Sequence, residues 1–516
     1  MAAVDPQPTK INRLALSLFK CLSQFKSATS ISSATSTPTA TATATSSLSD
    51  LPDDVLLHIL GFLPSIKEAI QASLISRRWR NLWLRLPQLL FPATHNRRLW
   101  DMDRKSALFI HRALALRPPQ SPQLHKFYLQ HVCGYQDGGY QNSRPYQESL
   151  QRKRDLESWI SYAINNQSDA LVLLELHFST FNCFEFPAAL TNANVVKSLK
   201  ITLCECRLLG RLSLGSARIK SLTSLSLDKI TFGNYRADEI LSLFDNLISF
   251  SFEDSFLHDN SVVKIHSLKL KELNLGFIRC SGSLEIDCPN LTSLVMNYYY
   301  AKEIHFKDVS SLVEARVCFL PIHFEKWRMV VNSISHVKHL ATRNNFEIEF
   351  LQPNHVLFGS PLCNVKQLEI QTGYSKVKVL AMASLLVFLP NLETLILQPP
   401  LIIGNKKYYY GYSAEPEWEE SKRVAAMERP ILLQLPSLKF VKIKDFKQTM
   451  EEAIFISYLI LHGDALEKIL LVHPLVEGNS TAKPVVLDER LINKLRALPC
   501  QKKEKKESKN QLRVLG

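Results

Sequence analysis

Glycine is scarce in this chain, at 16 of 516 residues. Loops that cradle phosphate need glycines at fixed spacing, and neither G-x-G-x-x-G nor G-x-x-x-x-G-K-[ST] occurs. Long apolar runs are missing too. Stretches such as "AIFISYLIL" (Ala453 to Leu461) reach about half the roughly 20 residues of a membrane span. No secretory leader is legible, because "LALSLF" is short and runs into Lys20. The sequons at Asn166, Asn290 and Asn479 therefore carry little message. The 10 cysteines are scattered with no C-x-x-C, the pattern of a reduced, intracellular chain rather than a disulfide framework.

What is present is ordinary in bulk: 46% hydrophobic, 21% charged, as in a soluble protein. The net charge of +14 is unevenly placed. Residues 1–49 contribute +3 (three Lys and one Arg against one Asp) and residues 500–516 contribute +4 (five Lys and one Arg against two Glu). Half the excess thus sits in two tails, and the rest is too thinly spread for a nucleic-acid-binding face. The leader holds "SATSISSATSTPTATATATSS" (Ser27 to Ser47), a low-complexity stretch expected to be disordered. Before it, Ile11 to Lys26 has the makings of a basic amphipathic helix, a transit-peptide trait weighed against a solvated leader. "KKEKKESK" (Lys502 to Lys509) reads as a solvated charged tail before it reads as a nuclear localisation signal.

The middle of the chain repeats. An apolar pattern L-x-x-L-x-L, with substitutions, recurs from Leu171/Leu174/Leu176 through Leu222/Leu225/Leu227, Leu291/Leu294/Met296 and Val337/Leu340/Thr342 to Leu466/Ile469/Leu471. An outlying first copy is Leu124/Phe127/Leu129. Successive first anchors from Leu171 to Leu392 are 21 to 28 residues apart, close to the leucine-rich-repeat period. Two longer steps mark insertions, one expected to hold a helix over Glu148 to Ile164, the other a loop over Asn405 to Arg423. The last two anchors of each copy share one face of a short strand, and neighbouring copies cover one another's apolar sides. Thirteen such strands at about 4.8 Å each make an arc of roughly 60 Å. Between those anchors one side chain per copy faces the other way. That row runs Glu175, Lys200, Ser226, Ser251, Asn274, Val295, Arg316, Ala341, Glu369, Ile396, Lys442 and Leu470. Concave solenoid faces serve as binding surfaces, so Arg316, Glu369, Ile396 and Lys442 are the candidate target-binding residues.

Upstream stands "DLPDDVLLHILGFLPSIKEAIQASLISRRWRNLW" (Asp50 to Trp83). It reads as three short helices. Pro52 sits near N1, with Asp53 and Asp54 in the favourable first turn. Ser65 and Glu68 make a capping box, and Ser76 is placed to cap the third helix. So small and apolar a unit needs support from the solenoid or from a partner. The stretch resembles an F-box of the plant type, in which "HILGFLP" precedes "SRRWRNLW". The resemblance implies docking on a Skp-type adaptor, and through it on the cullin of an SCF ubiquitin ligase. Its docking residues map to Leu51, Pro52, Ile59, Leu60, Leu63, Pro64, Leu74, Ser76, Trp79 and Trp83. Gly61 and Ile66 depart from the pattern. A second stretch, Leu435 to Val472, resembles the FBD module of plant F-box/leucine-rich-repeat proteins as strand, helix, strand. Downstream, "LRALPCQKKEKKESK" replaces that module's closing segment, and no final strand is expected there.

Other chemistry is thin. His336 and His339 flank a strand anchor without a completing Cys or acidic pair. Cys204 and Cys206 fit ordinary packing. "YYYGY" (Tyr408 to Tyr412) beside Lys406 and Lys407 could stack on bases, though a solvated or packed loop is the plainer reading. No acid pair stands out for acid–base work.

The expected fold class is α/β: a three-helix F-box, then a leucine-rich-repeat horseshoe ending in an FBD module. The expected organisation is a leader over 1–48, an F-box over 49–95, a solenoid over 96–434 with insertions at 130–169 and 399–430, an FBD module over 435–490 and a basic tail over 491–516. The expected role is a non-catalytic substrate receptor of an SCF-type ligase in cytoplasm or nucleus, with an unknown protein target and no cofactor, metal or membrane. Kept beside it are an F-box interaction protein without a degradative role and, from another class, a nucleic-acid-binding solenoid.

Overall fold

The computed structural model describes residues 51–72, 77–92, 99–118, 121–132, 144–165, 171, 173–179, 184–185, 190, 195–204, 210–213, 219–232, 241, 243–257, 262–276, 279–280, 282–297, 302–319, 324–343, 360–374, 376–398, 435–473 and 484–497. Leu74, Ser76, Cys206, the leader over 1–48, the Tyr408–Tyr412 stretch and the tail beyond Ala497 lie outside the described residues. The chain divides into two compact units, with the boundary between Leu312 and Val313.

The first unit opens with α1 (Asp53–Gly61) and α2 (Ile66–Ala72). A 3-10 helix follows (Trp79–Arg85), where the sequence predicts an α-helix. It has two turns at most before Pro87, too few for an α-helix to gain much, and short 3-10 pieces suit such connectors. Pro52 stands at the N-cap, one place earlier than expected, and its carbonyl accepts from the N–H groups of Val55 and Leu56, both at 3.1 Å. Ser65 Oγ accepts from the Glu68 N–H at 3.3 Å, which is half of the expected capping box. Ile66, unusual by resemblance, is a core residue here.

No spacer separates these helices from the repeats. After Pro87 the chain enters β1 (Gln88–Phe91), which pairs in parallel with β2 (Lys126–Val132). The helices α3 (Leu99–Leu116) and α4 (Arg144–Asn165) flank β2 in sequence, and α4 is the helix expected in the first insertion. Strands then recur: β3 (Leu173–Ser179), β4 (Phe184–Glu185), β5 (Ser198–Cys204), β6 (Gly210–Ser213), β7 (Ser224–Asp228), β8 (Ile230–Phe232), β9 (Ser249–Glu253) and β10 (Phe256–Leu257). They continue as β11 (Val263–His266), β12 (Glu272–Gly276), β13 (Arg279–Cys280), β14 (Leu284–Asp287), β15 (Ser293–Asn297) and β16 (Ile304–Phe306). The order β1-β2-β3-β5-β7-β9-β12-β15 makes one parallel sheet, with a five-stranded and a three-stranded sheet from the shorter strands.

The anchors do what their period requires. Leu174, Leu176, Leu199, Ile201, Leu225 and Leu227 are buried, and the residues between them alternate outward. A second device, absent from the anchor pattern, ties copies together. Asn246 and Asn290, each one place before a first anchor, donate through Nδ2 to the Lys220 and Leu268 carbonyls of the preceding copy, both at 2.8 Å. Each such bond contributes on the order of 1 kcal/mol and satisfies a carbonyl that a parallel ladder leaves over.

The second unit holds β17 (Glu314–Cys318), α5 (Phe324–Ser333), β18 (His339–Arg343), β19 (Gln367–Gln371), α6 (Lys376–Leu386) and β20 (Thr394–Gln398). After the insertion come β21 (Phe440–Ile443), α7 (Met450–His462), β22 (Lys468–Leu471), β23 (Val485–Leu487) and α8 (Glu489–Arg496). Strands β17 to β22 pair in parallel in chain order; β23 pairs antiparallel with β22. Sequence reading did not find β23 or α8. The strand, helix, strand expected over 435–472 is β21, α7 and β22. Thr342, the polar substitute for an apolar anchor, is buried because Trp327 Nε1 donates to its Oγ1 at 3.0 Å while Oγ1 donates to the Val317 carbonyl at 2.9 Å. A full capping box starts α7: the Glu452 N–H donates to Thr449 Oγ1, and the Glu452 carboxylate accepts from the Thr449 and Lys447 N–H groups. At the other end, Arg496 of α8 donates to the Ile460 carbonyl at 2.9 Å and to the Gly463 carbonyl. A Cβ at Gly463 would stand 2.9 Å from the Leu459 carbonyl oxygen, so only glycine fits that close turn. Replacing Glu452 with Ala orphans two N–H donors, those of Lys447 and Thr449, and is expected to cost about 1–3 kcal/mol, read as a lowered unfolding midpoint.

Candidate functional site

Two surfaces collect the residues that the sequence singles out, one in each unit. The first is built by α1. A helix places residues three and four apart on one face. Leu56 and Leu60 occupy the buried face, while Val55, Ile59 and Phe62 fall on the other and are exposed, Phe62 to 76%. The rings of His58 and Phe62 meet edge to face with centroids 4.8 Å apart. Pro52 and Pro64 are exposed and Leu51 and Leu63 half-buried at the two ends. Single exposed apolar groups are unremarkable, but three in a stripe on one small helix make a surface awaiting cover.

The other residues expected to dock fall elsewhere. Leu60, Trp79 and Trp83 are buried inside the module, so in the free chain they hold the stripe in place from behind. Val55 and Phe62 belong to the stripe although the resemblance does not name them, and their spacing around Ile59, four before and three after, is the signal for them in the sequence.

Charge orients the stripe. Asp53, at the start of α1, accepts from Arg78 Nε at 2.9 Å and Nη2 at 2.7 Å, and from Arg85 Nη1 at 3.1 Å. The Arg78 hydrogen bond, more than any other contact, lowers the Asp53 pKa below the usual 3.8. A lowered folded-state pKa stabilises above the unfolded value, and that stabilisation is lost as pH falls through the folded value. The Asp53→Asn chain is therefore expected to melt lower than wild type near pH 6, with the gap closing as the pH drops below about 4. Melting both chains across that range checks it. At the other end of α1, the Gln88 side-chain amide donates to the Gly61 carbonyl. A Cβ at Gly61 would lie 3.2 Å from Gln88 Nε2, so the departure at Gly61 leaves room for this C-terminal cap.

The helices are clamped to the sheet by Arg117, which is 6% exposed. Its Nη1 donates to the Leu86 carbonyl at 2.8 Å and its Nη2 to the Pro122 carbonyl at 2.6 Å. Burial lowers its pKa from the ordinary value.

The outward row on this unit's sheet lies in register: Tyr128, Glu175, Lys200, Ser226, Ser251, Asn274 and Val295 are successive partners. Glu175 is a hub. His177 Nε2 lies 3.0 Å from it, Lys200 Nζ 3.2 Å and Lys126 Nζ 3.4 Å. Burial alone would raise its pKa, but the His177 hydrogen bond and the two lysines carry it below the usual carboxylate value.

The second surface is the outward face of the second unit's sheet. Arg316, Ala341, Glu369, Ile396, Lys442 and Leu470 are successive register partners, so all four candidate target residues share one row. The small Ala341 leaves room for Arg316 to reach over a strand, and its Nη2 lies 3.6 Å from Glu369 Oε1. Glu369 also accepts from Gln398 and lies 3.8 Å from Lys444 Nζ. Gln398 and Lys444 were not singled out, yet each follows a named residue by two and so shares its face. This pairing changes what charge reversal does. Arg316→Glu with Glu369→Lys rebuilds an opposite pair, while either change alone sets like charges together. A double-mutant cycle on unfolding is expected to return a coupling of about 0.5–1 kcal/mol.

Among the described residues no group of three or more His, Cys, Asp or Glu side chains is placed to hold a metal. His339 opens β18 and is exposed. No described helix is long and apolar enough to cross a membrane.

Comparison with known proteins covers the stretches that carry both surfaces. A family model described as F-box-like matches residues 48–87, ending one residue before β1. A second, described as "At1g61320/AtMIF1, LRR domain", matches residues 140–471. The chain is 25% identical over 455 residues to the F-box/FBD/LRR-repeat protein At1g78750 of Arabidopsis thaliana, covering 82% of this chain and 89% of that one. It is 25% identical over 474 residues to the F-box/LRR-repeat protein At5g38396 of the same plant, covering 84% and 93%. The FBD designation comes from such names; the strand, helix, strand of β21, α7 and β22 comes from the structure.

Proposed function

From the premise that the chain belongs to the At1g61320/AtMIF1 LRR-domain family and carries an F-box-like module, we propose that it is a substrate-recognition subunit of an SCF-type ubiquitin ligase. The stripe of Val55, Ile59 and Phe62 is the observation that carries this. It docks a Skp-type adaptor, which links the chain to a cullin. The repeat sheets hold a target protein, with Arg316, Glu369, Ile396 and Lys442 on the recognising face. No residue of this chain breaks or makes a bond in that role. Its contribution is proximity: a target lysine held near a ubiquitin thioester reacts at a raised effective concentration. The F-box-like helices run straight into β1 after Pro87, which fits a docking module built onto the repeats rather than tethered to them.

Co-expression with a Skp-type adaptor followed by affinity capture tests the proposal. The full chain is expected to retain adaptor, and a chain lacking residues 48–87 is expected to lose it. Blocking the proteasome should then let a bound protein accumulate on the full chain. No adaptor capture by the full chain would refute the proposal. Adaptor capture without accumulation of any bound protein would assign a non-degradative role instead.

A further inference from the structure

The second unit's sheet ends in a surface with its own chemistry. Ile396, Lys442, Leu470 and Val486 are successive register partners on β20, β21, β22 and β23, and all four point away from the buried anchors. Ile396, Lys442 and Leu470 are half-buried and Val486 is 46% exposed. The methylene stem of Lys442 lies between Ile396 and Leu470, so the row is apolar along its floor with one ammonium at its surface. Two further lysines flank it on the same face, Lys444 two residues after Lys442 and Lys468 two before Leu470. One facing carboxylate is Glu369, which already serves Arg316 and Gln398 as well as Lys444. Among the described residues, Lys442, Lys444 and Lys468 surround this aliphatic floor against two carboxylates, the shared Glu369 and Asp488, which stands opposite Lys468 and is engaged in capping α8 at the Leu491 N–H, so the surface is positive with apolar content.

We propose that this row docks an acidic, extended segment of the target, with aliphatic side chains at alternate positions and carboxylates between them. In an extended chain successive side chains point to opposite sides. Aliphatic groups two apart would meet Ile396, Leu470 and Val486, while neighbouring carboxylates reach Lys442, Lys444 and Lys468. A nucleic acid fits less well, because the floor is aliphatic and gives bases nothing to stack on. This deepens the receptor reading and rests on it: the same sheet face recognises the target, and its chemistry selects acidic, aliphatic sequences.

The test uses the full chain bound to its adaptor, with fluorescence anisotropy as the readout. The probe is a labelled peptide with leucine at alternate positions and glutamate between. The same peptide with lysine for glutamate and a single-stranded oligothymidylate are the comparisons. Binding is expected for the glutamate peptide alone, weakening steeply with added salt. Lys442→Glu with Lys444→Glu is expected to weaken it by at least about tenfold, and Leu470→Asp to do the same, with adaptor capture unchanged. No binding of the glutamate peptide, no loss in the variants, or equal binding of either comparison overturns the proposal. Binding that appears only after residues 405–423 are deleted overturns it as well, since the surface then serves the chain's own Glu415, Glu417, Glu419 and Glu420. Adaptor capture reads separately: its loss in the unaltered chain counts against the receptor reading, whereas its retention alongside a silent peptide counts against this inference alone.

Discussion

Replacing Ile59 and Phe62 with glutamate is expected to reduce capture of a Skp-type adaptor by at least about a hundredfold and to leave the melting curve unchanged. Both side chains are exposed in the free chain, so folding does not depend on hiding them, and such sites usually shift stability by no more than about 0.5 kcal/mol. On docking each would be covered. Full burial of a large apolar side chain contributes about 1.5–3 kcal/mol; Phe62 at 76% exposed gains most of that and Ile59 at 37% about a third, so losing both removes about 2–3 kcal/mol, and tenfold in affinity corresponds to about 1.4 kcal/mol. Two carboxylates forced against an apolar partner add a desolvation cost. Leu56→Ala is the informative contrast. Leu56 is fully buried between the helices, and its truncation is expected to cost about 2–5 kcal/mol of stability and to lose adaptor through unfolding of the module. Capture by surface resonance beside circular dichroism separates the two. Wild-type capture by the Ile59/Phe62 variant would place docking somewhere other than the stripe.

The second large effect is expected at Arg117. Arg117→Met keeps much of the stem but leaves the Leu86 and Pro122 carbonyls without their donor. Each buried carbonyl left unpaired costs about 1–3 kcal/mol, so the unit should lose about 2–4 kcal/mol, allowing for partial rehydration. Lysine is not expected to rescue it. A single ammonium cannot present two parallel donors to carbonyls belonging to different turns, whereas a guanidinium does so by its shape. Chemical denaturation measures the loss. A second readout carries the structural point: hydrogen exchange at the amides of Lys126 and His125, both bonded to the Pro87 carbonyl, should accelerate in the variant. Unchanged exchange there would mean that the module is joined to the sheet by the strand alone.

Much of this molecule is written locally. The period of 21 to 28 residues between anchors is a statement about strands and stacking, and the anchors are buried as that period demands. The outward row was equally legible, since alternation along a strand needs no tertiary information. The F-box-like stretch, and the strand, helix, strand near the end, could be recognised because their apolar spacing and caps sit within a few dozen consecutive residues.

Only the tertiary structure decided which side of α1 faces inward. Val55, Leu56, Ile59, Leu60 and Phe62 are all apolar, so the apolar side of the helix is wider than the face one small core can bury; packing against the 3-10 helix hides Leu56 and Leu60 and leaves the other three outside. Trp79 and Trp83 enter the docking set by resemblance, and only the packing of the module shows that both are buried in the free chain. Partners remote in sequence were likewise invisible. Arg316 and Glu369 are separated by 53 positions (369 − 316), and Arg117 reaches carbonyls on both sides of itself in the chain. A sequence states what each segment prefers over a turn or a strand. Which charges meet, and which apolar face is left uncovered, is settled where segments distant in the chain compete for the same contacts.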